Sequence, residues 1–163
     1  MISKFAITLA MGAALLLAAC SDDAPEAAAP GGGAPTSTLD PASVAYFQQT
    51  VGDRVFFETD STRLTSAGQQ TLSRQAEWLA QNTAVNAVIE GHADERGTRE
   101  YNLALGARRA EAARVYLAAQ GVSASRLRTI SYGKERPEAL CSAESCWSTN
   151  RRAVSVIAGA PTS

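Results

Sequence analysis

The sequence predicts a two-layer α/β sandwich with the element order βαβαββ, in which four strands form a mixed sheet and two long helices cover one face. Two observations support this fold class. Short runs of β-branched and aromatic residues alternate with two longer segments whose apolar residues recur at helical spacing. Residues 53–158, which contain all of these segments, are enough for one domain with its own core. The order of the strands does not follow from this pattern.

Local signals place the individual elements. Ser66 followed by Gln69 is a capping-box signature for the start of the first helix, whose apolar repeat continues to Asn82. The second helix is expected over residues 100–120, because Gly121 stands where a left-handed cap would end it. The strands are expected at residues 54–57, 87–91, 127–132 and 153–157, with a half-turn near residues 147–150.

The N-terminus has the pattern of a secretory signal peptide over residues 1–19. Lys4 lies in a short positive region, and the apolar run that follows is too short to span a bilayer as a helix. Leu-Ala-Ala-Cys at positions 17–20 resembles the lipobox of bacterial lipoproteins, in which the cysteine thiol receives a diacylglyceryl group. We therefore expect Cys20 to be lipidated. Ser21 stands where aspartate would retain a lipoprotein in the inner membrane, so the same resemblance implies an outer-membrane anchor with the domain in the periplasm.

Residues 20–52 are expected to contain the lipidated cysteine and a flexible tether. Much of this segment is alanine, proline and glycine, and such a composition cannot bury enough apolar surface to offset the entropy of ordering. A short helix over residues 41–50 would lead into the domain. Residues 20–53 contain five acids and no base, whereas the rest of the chain has a small basic excess. That excess is too small to indicate nucleic-acid binding.

Cys141 and Cys146 form a candidate pair once Cys20 is assigned to the lipid. The oxidising periplasm favours a disulfide between them, with two free thiols as the alternative. A metal site is disfavoured because His92 is the one histidine of the chain and lies far away in sequence. We predict no metal ion and no cofactor. Because the pair is also distant in sequence from the polar residues described next, we expect it to affect stability more than binding.

The densest group of polar residues, over residues 90–102, leaves the second strand and enters the second helix. Loops at the carboxyl ends of strands are common ligand-binding places in α/β folds. On that helix Arg109 shares the inward stripe with Leu105, where an unpaired charge would be costly. Asp94 is the obvious partner. The spacing supports two interpretations equally: a structural Asp94–Arg109 salt bridge, or a charged pocket for a ligand with both an ammonium and a carboxylate.

Four motifs make the sequence recognisable. Residues 91–110 read Gly-His-Ala-Asp-Glu-Arg-Gly-Thr-Arg-Glu-Tyr-Asn-Leu-Ala-Leu-Gly-Ala-Arg-Arg-Ala. The others are Val-Phe-Phe-Glu-Thr-Asp at 55–60, Ile-Ser-Tyr-Gly-Lys-Glu-Arg-Pro at 130–137 and Asn-Arg-Arg-Ala-Val at 150–154. Together they resemble the peptidoglycan-associated lipoproteins and the broader outer-membrane-protein-A C-terminal family. The resemblance covers essentially all of residues 53–157.

This resemblance implies a module that binds peptidoglycan through the diaminopimelate of uncrosslinked stem peptides. The diaminopimelate side chain ends in an amino-acid centre, so it offers one ammonium and one carboxylate. By position, Asp94 would accept from the ammonium, and Arg109 would bind the carboxylate with its forked donors. The remaining positions implied for the site are Asn102, which would hold the loop, Thr59 and Asp60, which would line the pocket, and Leu105, which would form its apolar floor.

The family also implies partners, namely the periplasmic propeller protein TolB and other proteins of the Tol system. Two alternatives stay open. A wall-binding lipoprotein outside the Tol system would have the same fold, and a periplasmic hydrolase would act through His92, Asp94 and Glu95. The hydrolase is disfavoured because one histidine with two acids is a poor zinc set, and no phosphate loop or nucleophile pattern indicates an enzyme. We expect Arg151 and Arg152 to flank the last strand as solvated charges.

Overall fold

A computed structural model describes residues 39–161 of the 163-residue chain. The predicted signal peptide, the predicted lipidation site Cys20 and most of the predicted tether lie outside the described residues. The helices are α1 (Val44–Tyr46, continued by a π-helical turn over Phe47–Gly52), α2 (Ser66–Gln81), α3 (Arg99–Ala119) and α4 (Glu144–Asn150). The strands are β1 (Arg54–Phe56), β2 (Asn86–His92), β3 (Leu127–Gly133) and β4 (Arg152–Ala158), and a 3₁₀ turn over Ala124–Arg126 precedes β3.

The four strands form one mixed sheet in the order β1-β4-β2-β3, which confirms the predicted fold class. β4 is antiparallel to both β1 and β2, whereas β2 and β3 are parallel and are joined by the crossover helix α3. The strands β1, β2 and β3 therefore end at the same edge of the sheet. The loops that follow β1 and β2, and the helix α4 that precedes β4, meet at this edge.

Both long helices lie on one face of the sheet. Ile89 is fully buried on that face, and its neighbour across the ladder is Ser155. Ser155 Oγ donates to Gln75 Oε1 of α2 at 2.7 Å. On the same face, α3 lies so close to β2 that a Cβ added to Gly91 would come within 1.8 Å of the main-chain oxygen of Gly106. Two glycines thus allow the backbone of α3 to approach the end of β2, next to the loop that carries the polar motif.

The folded domain begins earlier than predicted. Phe47 is fully buried, Val51 is buried too, and the Phe47 ring packs on Trp78 with centroids 4.9 Å apart. The indole Nε1 of Trp78 donates to the main-chain oxygen of Pro41 at 2.7 Å. The predicted boundary at residue 53 therefore moves to about residue 41, because the apolar side chains before Asp53 fill the core beside α2. The short helix expected over residues 41–50 corresponds to α1 and its π-helical continuation.

The predicted element ends agree with the structure except for small shifts. Thr65, one residue before Ser66, is the N-cap of α2, and its Oγ1 accepts from the main-chain N of Gly68 at 3.0 Å. α3 ends just before Gly121, whose φ of 97° is the left-handed conformation predicted there. The half-turn expected near residues 147–150 is the seven-residue helix α4. Among the described helices, none combines the length and the apolar character that a membrane crossing needs.

Candidate functional site

A cavity of about 360 Å³ lies at the sheet edge where β1 and β2 end. The β1–α2 loop forms one wall, and the β2–α3 loop with the start of α3 forms the other. The lining residues are Thr59, Asp60, Asp94, Arg96, Gly97, Tyr101, Asn102 and Leu105. The structure thus brings together five of the six residues that were predicted to bind peptidoglycan. The sixth, Arg109, is fully buried beside the cavity and is not part of its lining.

Asp94 is 7% exposed, and two arginines occupy its carboxylate. Oδ1 accepts from the main-chain N and the Nε of Arg96 at 3.1 and 3.2 Å, and Oδ2 accepts from Arg96 Nη2 at 2.7 Å and Arg151 Nη1 at 3.4 Å. Burial by itself raises the pKa of Asp94, but the bonds and charge of Arg96, with the bond from Arg151, lower it below its usual value. The acid is therefore ionised at neutral pH. About four acceptor sites exist on a carboxylate, and four donors use them here.

Arg109 is stabilised by main-chain carbonyl groups instead of by a carboxylate. Its Nε donates to the oxygen of Ser61 at 2.9 Å, Nη1 to that of His92 at 2.9 Å and Nη2 to that of Glu58 at 3.2 Å. Burial lowers the pKa of Arg109 to about 10, an effect that the negative charge of Asp94 partly offsets. A guanidinium has five N–H groups, so two of them, one on each terminal nitrogen, make none of these bonds.

The direct Asp94–Arg109 salt bridge, one interpretation of the spacing, is not formed. The ion pairs of Asp94 are made with Arg96 and Arg151, and Arg109 makes none with any carboxylate of residues 39–161. The reason is the position of α3 against the sheet. That helix directs Arg109 toward the loop after β1 and the end of β2, whereas Asp94 faces its own loop and the end of α4.

Asp60 and Tyr101 connect the two walls of the cavity. Asp60 has a φ of 52°, in the left-handed region that aspartate tolerates better than most residues. The Tyr101 hydroxyl donates to Asp60 Oδ1, and this bond raises the pKa of Tyr101. Sequence reasoning did not identify Tyr101 as a site residue. The available signal was its place in the first turn of α3, directly before Asn102.

Asn102 stabilises the β2–α3 loop from within the first turn of α3. It is 1% exposed, and its Nδ2 donates to the main-chain oxygen of Arg96 at 2.7 Å. Thr98 caps α3 by accepting from the main-chain N of Tyr101 at 3.2 Å. Gly97 has a φ of 88°, which residues with a Cβ rarely adopt. These local contacts determine where the carboxylate of Asp94 lies relative to α3.

Arg151 and Arg152 are not the solvated charges that were expected. They are only 3% and 6% exposed. Arg151 contacts both Asp94 and Glu144, and Arg152 Nε lies 2.9 Å from Glu138 Oε2. The sequence gives no sign of this burial, because two of the three partner carboxylates, Asp94 and Glu138, belong to other segments of the chain.

His92 lies outside the cavity lining and is 2% exposed. Neither ring nitrogen has a hydrogen-bond partner among the described residues, and Nε2 lies 3.8 Å from Glu90 Oε2. Burial, and then the positive charge of Arg152, lower the pKa of His92 to about 4. Within residues 39–161 no group of three or more His, Cys, Asp or Glu side chains could hold a metal ion. The hydrolase interpretation, which needs His92 to act with Asp94 and Glu95, gains no support from this geometry.

Cys141 and Cys146 are joined in a disulfide with their Cα atoms 5.7 Å apart. Trp147, the next residue, donates from its Nε1 to Glu95 Oε1 at 3.1 Å. The disulfide segment therefore lies beside the β2–α3 loop. Because the cysteines are distant in sequence from the polar motif, they were expected to lie away from the site. The fold instead brings their segment next to the loop of the site.

These features define a class of protein: a two-layer α/β domain with a charged cavity where its parallel strands end. Comparison with known proteins specifies the family. The OmpA family matches residues 56–153. The peptidoglycan-associated lipoprotein of Agrobacterium fabrum is 55% identical over 93% of this chain and 87% of that protein, and that of Haemophilus influenzae is 44% identical over 90% and 93%. The chain belongs to the OmpA family and, within it, to the peptidoglycan-associated lipoproteins, as its motifs predicted.

Solved structures agree with this family. The crystal structure of the peptidoglycan-associated lipoprotein from Burkholderia pseudomallei matches with 38% identity and a TM-score of 0.68. The match covers 73% of this chain and 100% of the Burkholderia chain. The C-terminal domain of Helicobacter pylori MotB has 23% identity and a TM-score of 0.60, covering 66% of this chain and 84% of that chain. At that identity the likeness concerns the fold alone.

Proposed function

We propose that this chain binds peptidoglycan non-covalently, without catalysis, and that the cavity receives the amino-acid end of a diaminopimelate side chain. The names of the relatives support the association with peptidoglycan. The charges around the cavity support the choice of ligand group, because an acid and a base lie beside the same space. Asp94 can be assigned to the ammonium of an amino-acid centre, and Arg109 to its carboxylate.

The observation that carries the proposal is the buried charge of Arg109. Its described bonds go to neutral carbonyl groups, and no carboxylate of the described residues forms an ion pair with it. Removing a charge from water without a counter-ion costs several kcal/mol, roughly 3–5 when a buried pair is left incomplete. A ligand carboxylate would supply the missing partner. The two N–H groups that make none of the described bonds would be the donors for it, and binding would have to open the buried Arg109 to the cavity.

Asp94 would receive the ligand ammonium. Because four donors already occupy its carboxylate, the ammonium must replace one of them. The side chain of Arg96 is 41% exposed, whereas that of Arg151 is 3% exposed. Arg96 is therefore the donor that can leave, and Arg151 is the one that stays. Exchange of one cation for another keeps the charge of Asp94 compensated throughout.

Binding to sacculi that differ by one functional group tests this proposal. Lysine-type walls carry the side-chain ammonium but lack the carboxylate that diaminopimelate has. We expect the full-length chain to sediment with diaminopimelate-containing sacculi, and soluble muropeptides that contain diaminopimelate to compete where lysine-containing muropeptides do not. Equal binding to both wall types would contradict the assignment of Arg109 to a ligand carboxylate.

We further propose an outer-membrane lipid anchor at Cys20, which the lipobox-like segment at residues 17–20 supports. Acyl chains contribute about 0.8 kcal/mol per buried methylene, so the anchor would be permanent. Metabolic labelling with palmitate should mark the wild-type protein in the outer-membrane fraction. Labelling that persists in Cys20→Ala would refute this part of the proposal.

Membership of the Tol system is the remaining part of the proposal, and TolB is the partner that the family implies. Its support is the match of residues 130–137 and 150–154 to the family motifs. A pull-down with purified TolB should retain the full-length chain. Wall binding without any TolB binding would favour the alternative, a wall-binding lipoprotein outside the Tol system.

A further inference from the structure

Helix α4 contacts three consecutive residues of the β2–α3 loop. Trp147 Nε1 donates to Glu95 Oε1 at 3.1 Å, and the guanidinium of Arg96 lies 4.2 Å from the centre of the Trp147 ring. Arg151, which ends α4, donates to Asp94 Oδ2 at 3.4 Å. The position of α4 therefore sets the surroundings of Asp94, the acid proposed to bind the ligand.

By itself α4 is a weak helix. It has seven residues, and its N-cap is Ala143, which makes no side-chain capping bond. Helices shorter than about 12 residues are marginal in water without tertiary support. At its C-terminal end Asn150 supplies that support, because its side chain accepts from the main-chain N of Glu138 at 2.8 Å and donates to the oxygen of Ala139 at 2.8 Å.

At the N-terminal end the disulfide supplies the support. Cys146 is the third residue of α4, and its bond to Cys141 connects the first turn to the preceding loop. Cys141 is exposed. Trp147 follows Cys146 directly, so a shift of this turn moves the indole that contacts Glu95 and Arg96.

We propose that Cys141, Cys146 and Trp147 are positioning residues for the binding site: the disulfide holds the first turn of α4, and through Trp147 it holds the β2–α3 loop in its binding conformation. This inference rests on the proposed binding of peptidoglycan at the cavity. It assigns the disulfide a role in affinity in addition to its role in stability.

The test is a cycle of four forms of the full-length chain in detergent: wild type, Cys141→Ser with Cys146→Ser, Trp147→Leu, and the combination. Loss of the disulfide should lower affinity for diaminopimelate-containing sacculi about three- to tenfold. Trp147→Leu should do the same. In the Trp147→Leu background, loss of the disulfide should change affinity less than about twofold, while Tm still falls by roughly 5 °C.

This non-additive pattern separates positioning from stability, since a purely structural bond would lower Tm alone. Leu140→Ala is the matched control, because Leu140 lies in the same segment and is 87% exposed. Its affinity should equal that of the wild type. Unchanged affinity without the disulfide, or fully additive losses in the combined variant, would overturn the inference while leaving the proposed function intact. Failure of the wild type to bind sacculi would overturn both.

Discussion

Asp94 and Arg109 lie beside the same cavity, yet different kinds of partner stabilise them. Asp94 is surrounded by cations, of which Arg96 is partly exposed and Arg151 is buried. Arg109 is surrounded by main-chain oxygens from the loop after β1 and the end of β2. The acid thus has a compensated charge and an exchangeable neighbour. The base has no direct carboxylate partner among the described residues, and its neighbours cannot leave without unfolding the loops.

Connecting the loops and providing negative charge for a ligand are therefore assigned to different residues. A direct Asp94–Arg109 salt bridge would have combined them. Arg109 links the β1–α2 loop to the end of β2, and under the proposed function it would also supply positive charge to a ligand anion. Asp94 makes no bond to that connection, and under the proposed function its charge would recognise the ligand ammonium. Substitutions at the two positions should therefore differ in how far they affect folding.

The largest effect is expected for Arg109→Ala. It removes three hydrogen bonds, leaves the oxygens of Ser61, His92 and Glu58 without this donor, and empties a fully buried volume. The free energy of unfolding should fall by about 3–5 kcal/mol, and binding to sacculi should be lost. Urea denaturation and sedimentation measure the two effects. Arg109→Lys should also be impaired, since an ammonium cannot reproduce the three divergent bonds.

Arg108→Ala is the control for that prediction, because Arg108 is exposed one residue away. It should bind and unfold as the wild type does. If Arg109→Ala were as stable as the wild type, the proposed connection between the two loops would be wrong.

Asp94→Asn should affect binding far more than folding. The amide keeps an acceptor for Arg151 but loses the charge that a ligand ammonium requires. Bonds to charged groups contribute about 1.5–3 kcal/mol, so affinity for sacculi should fall roughly tenfold to a hundredfold. Glu100→Gln, an exposed acid in the first turn of α3, should bind normally. A folded Asp94→Asn protein with wild-type affinity would remove Asp94 from the proposed site.

Acidification should lower stability first through His92. Its main-chain oxygen accepts from Arg109, and its ring is buried. Its pKa is lowered from 6.5 to about 4, so the unfolded chain takes up the proton before the folded one. This contribution to stability is complete above pH 6.5 and is lost as the pH falls toward 4. Between pH 6.5 and 5 the free energy of unfolding should fall by about 2 kcal/mol. In His92→Leu the decrease over that interval should be absent, and urea titrations at three pH values would show it.

The smallest effect is expected for Tyr101→Phe. It removes the hydroxyl that donates to Asp60 and leaves the aromatic ring in the cavity wall. Because Tyr101 is exposed, water replaces the lost bond, and affinity should fall about twofold to fivefold. A loss as large as that of Asp94→Asn would mean that the hydroxyl contacts the ligand directly.

Much of the fold followed from local signals. Helical spacing and the glycine after α3 depend on neighbouring residues only, so the order of elements and most of their ends were predictable to within one or two residues. The N-cap of α2 shifted by one residue because Thr65 and Ser66 are both residue types that cap helices, and residue type does not decide between neighbours. The start of the domain was placed too late because the core that buries Phe47 is formed by α2, well ahead in the chain.

The sequence by itself indicated five of the eight residues that line the cavity, and it indicated Arg109, which lies beside them. Arg96, Gly97 and Tyr101 were not among the predicted site residues. Only the tertiary structure decided how their charges are paired. Helical spacing shows that Arg109 points inward, but main-chain oxygens from two separate loops are what it meets there. The cations on Asp94 come from positions 96 and 151, and the second is near only because β4 lies between β1 and β2. Helical periodicity is a property of one segment, whereas a charge pair is a property of two, and strand order brings the second segment to the first.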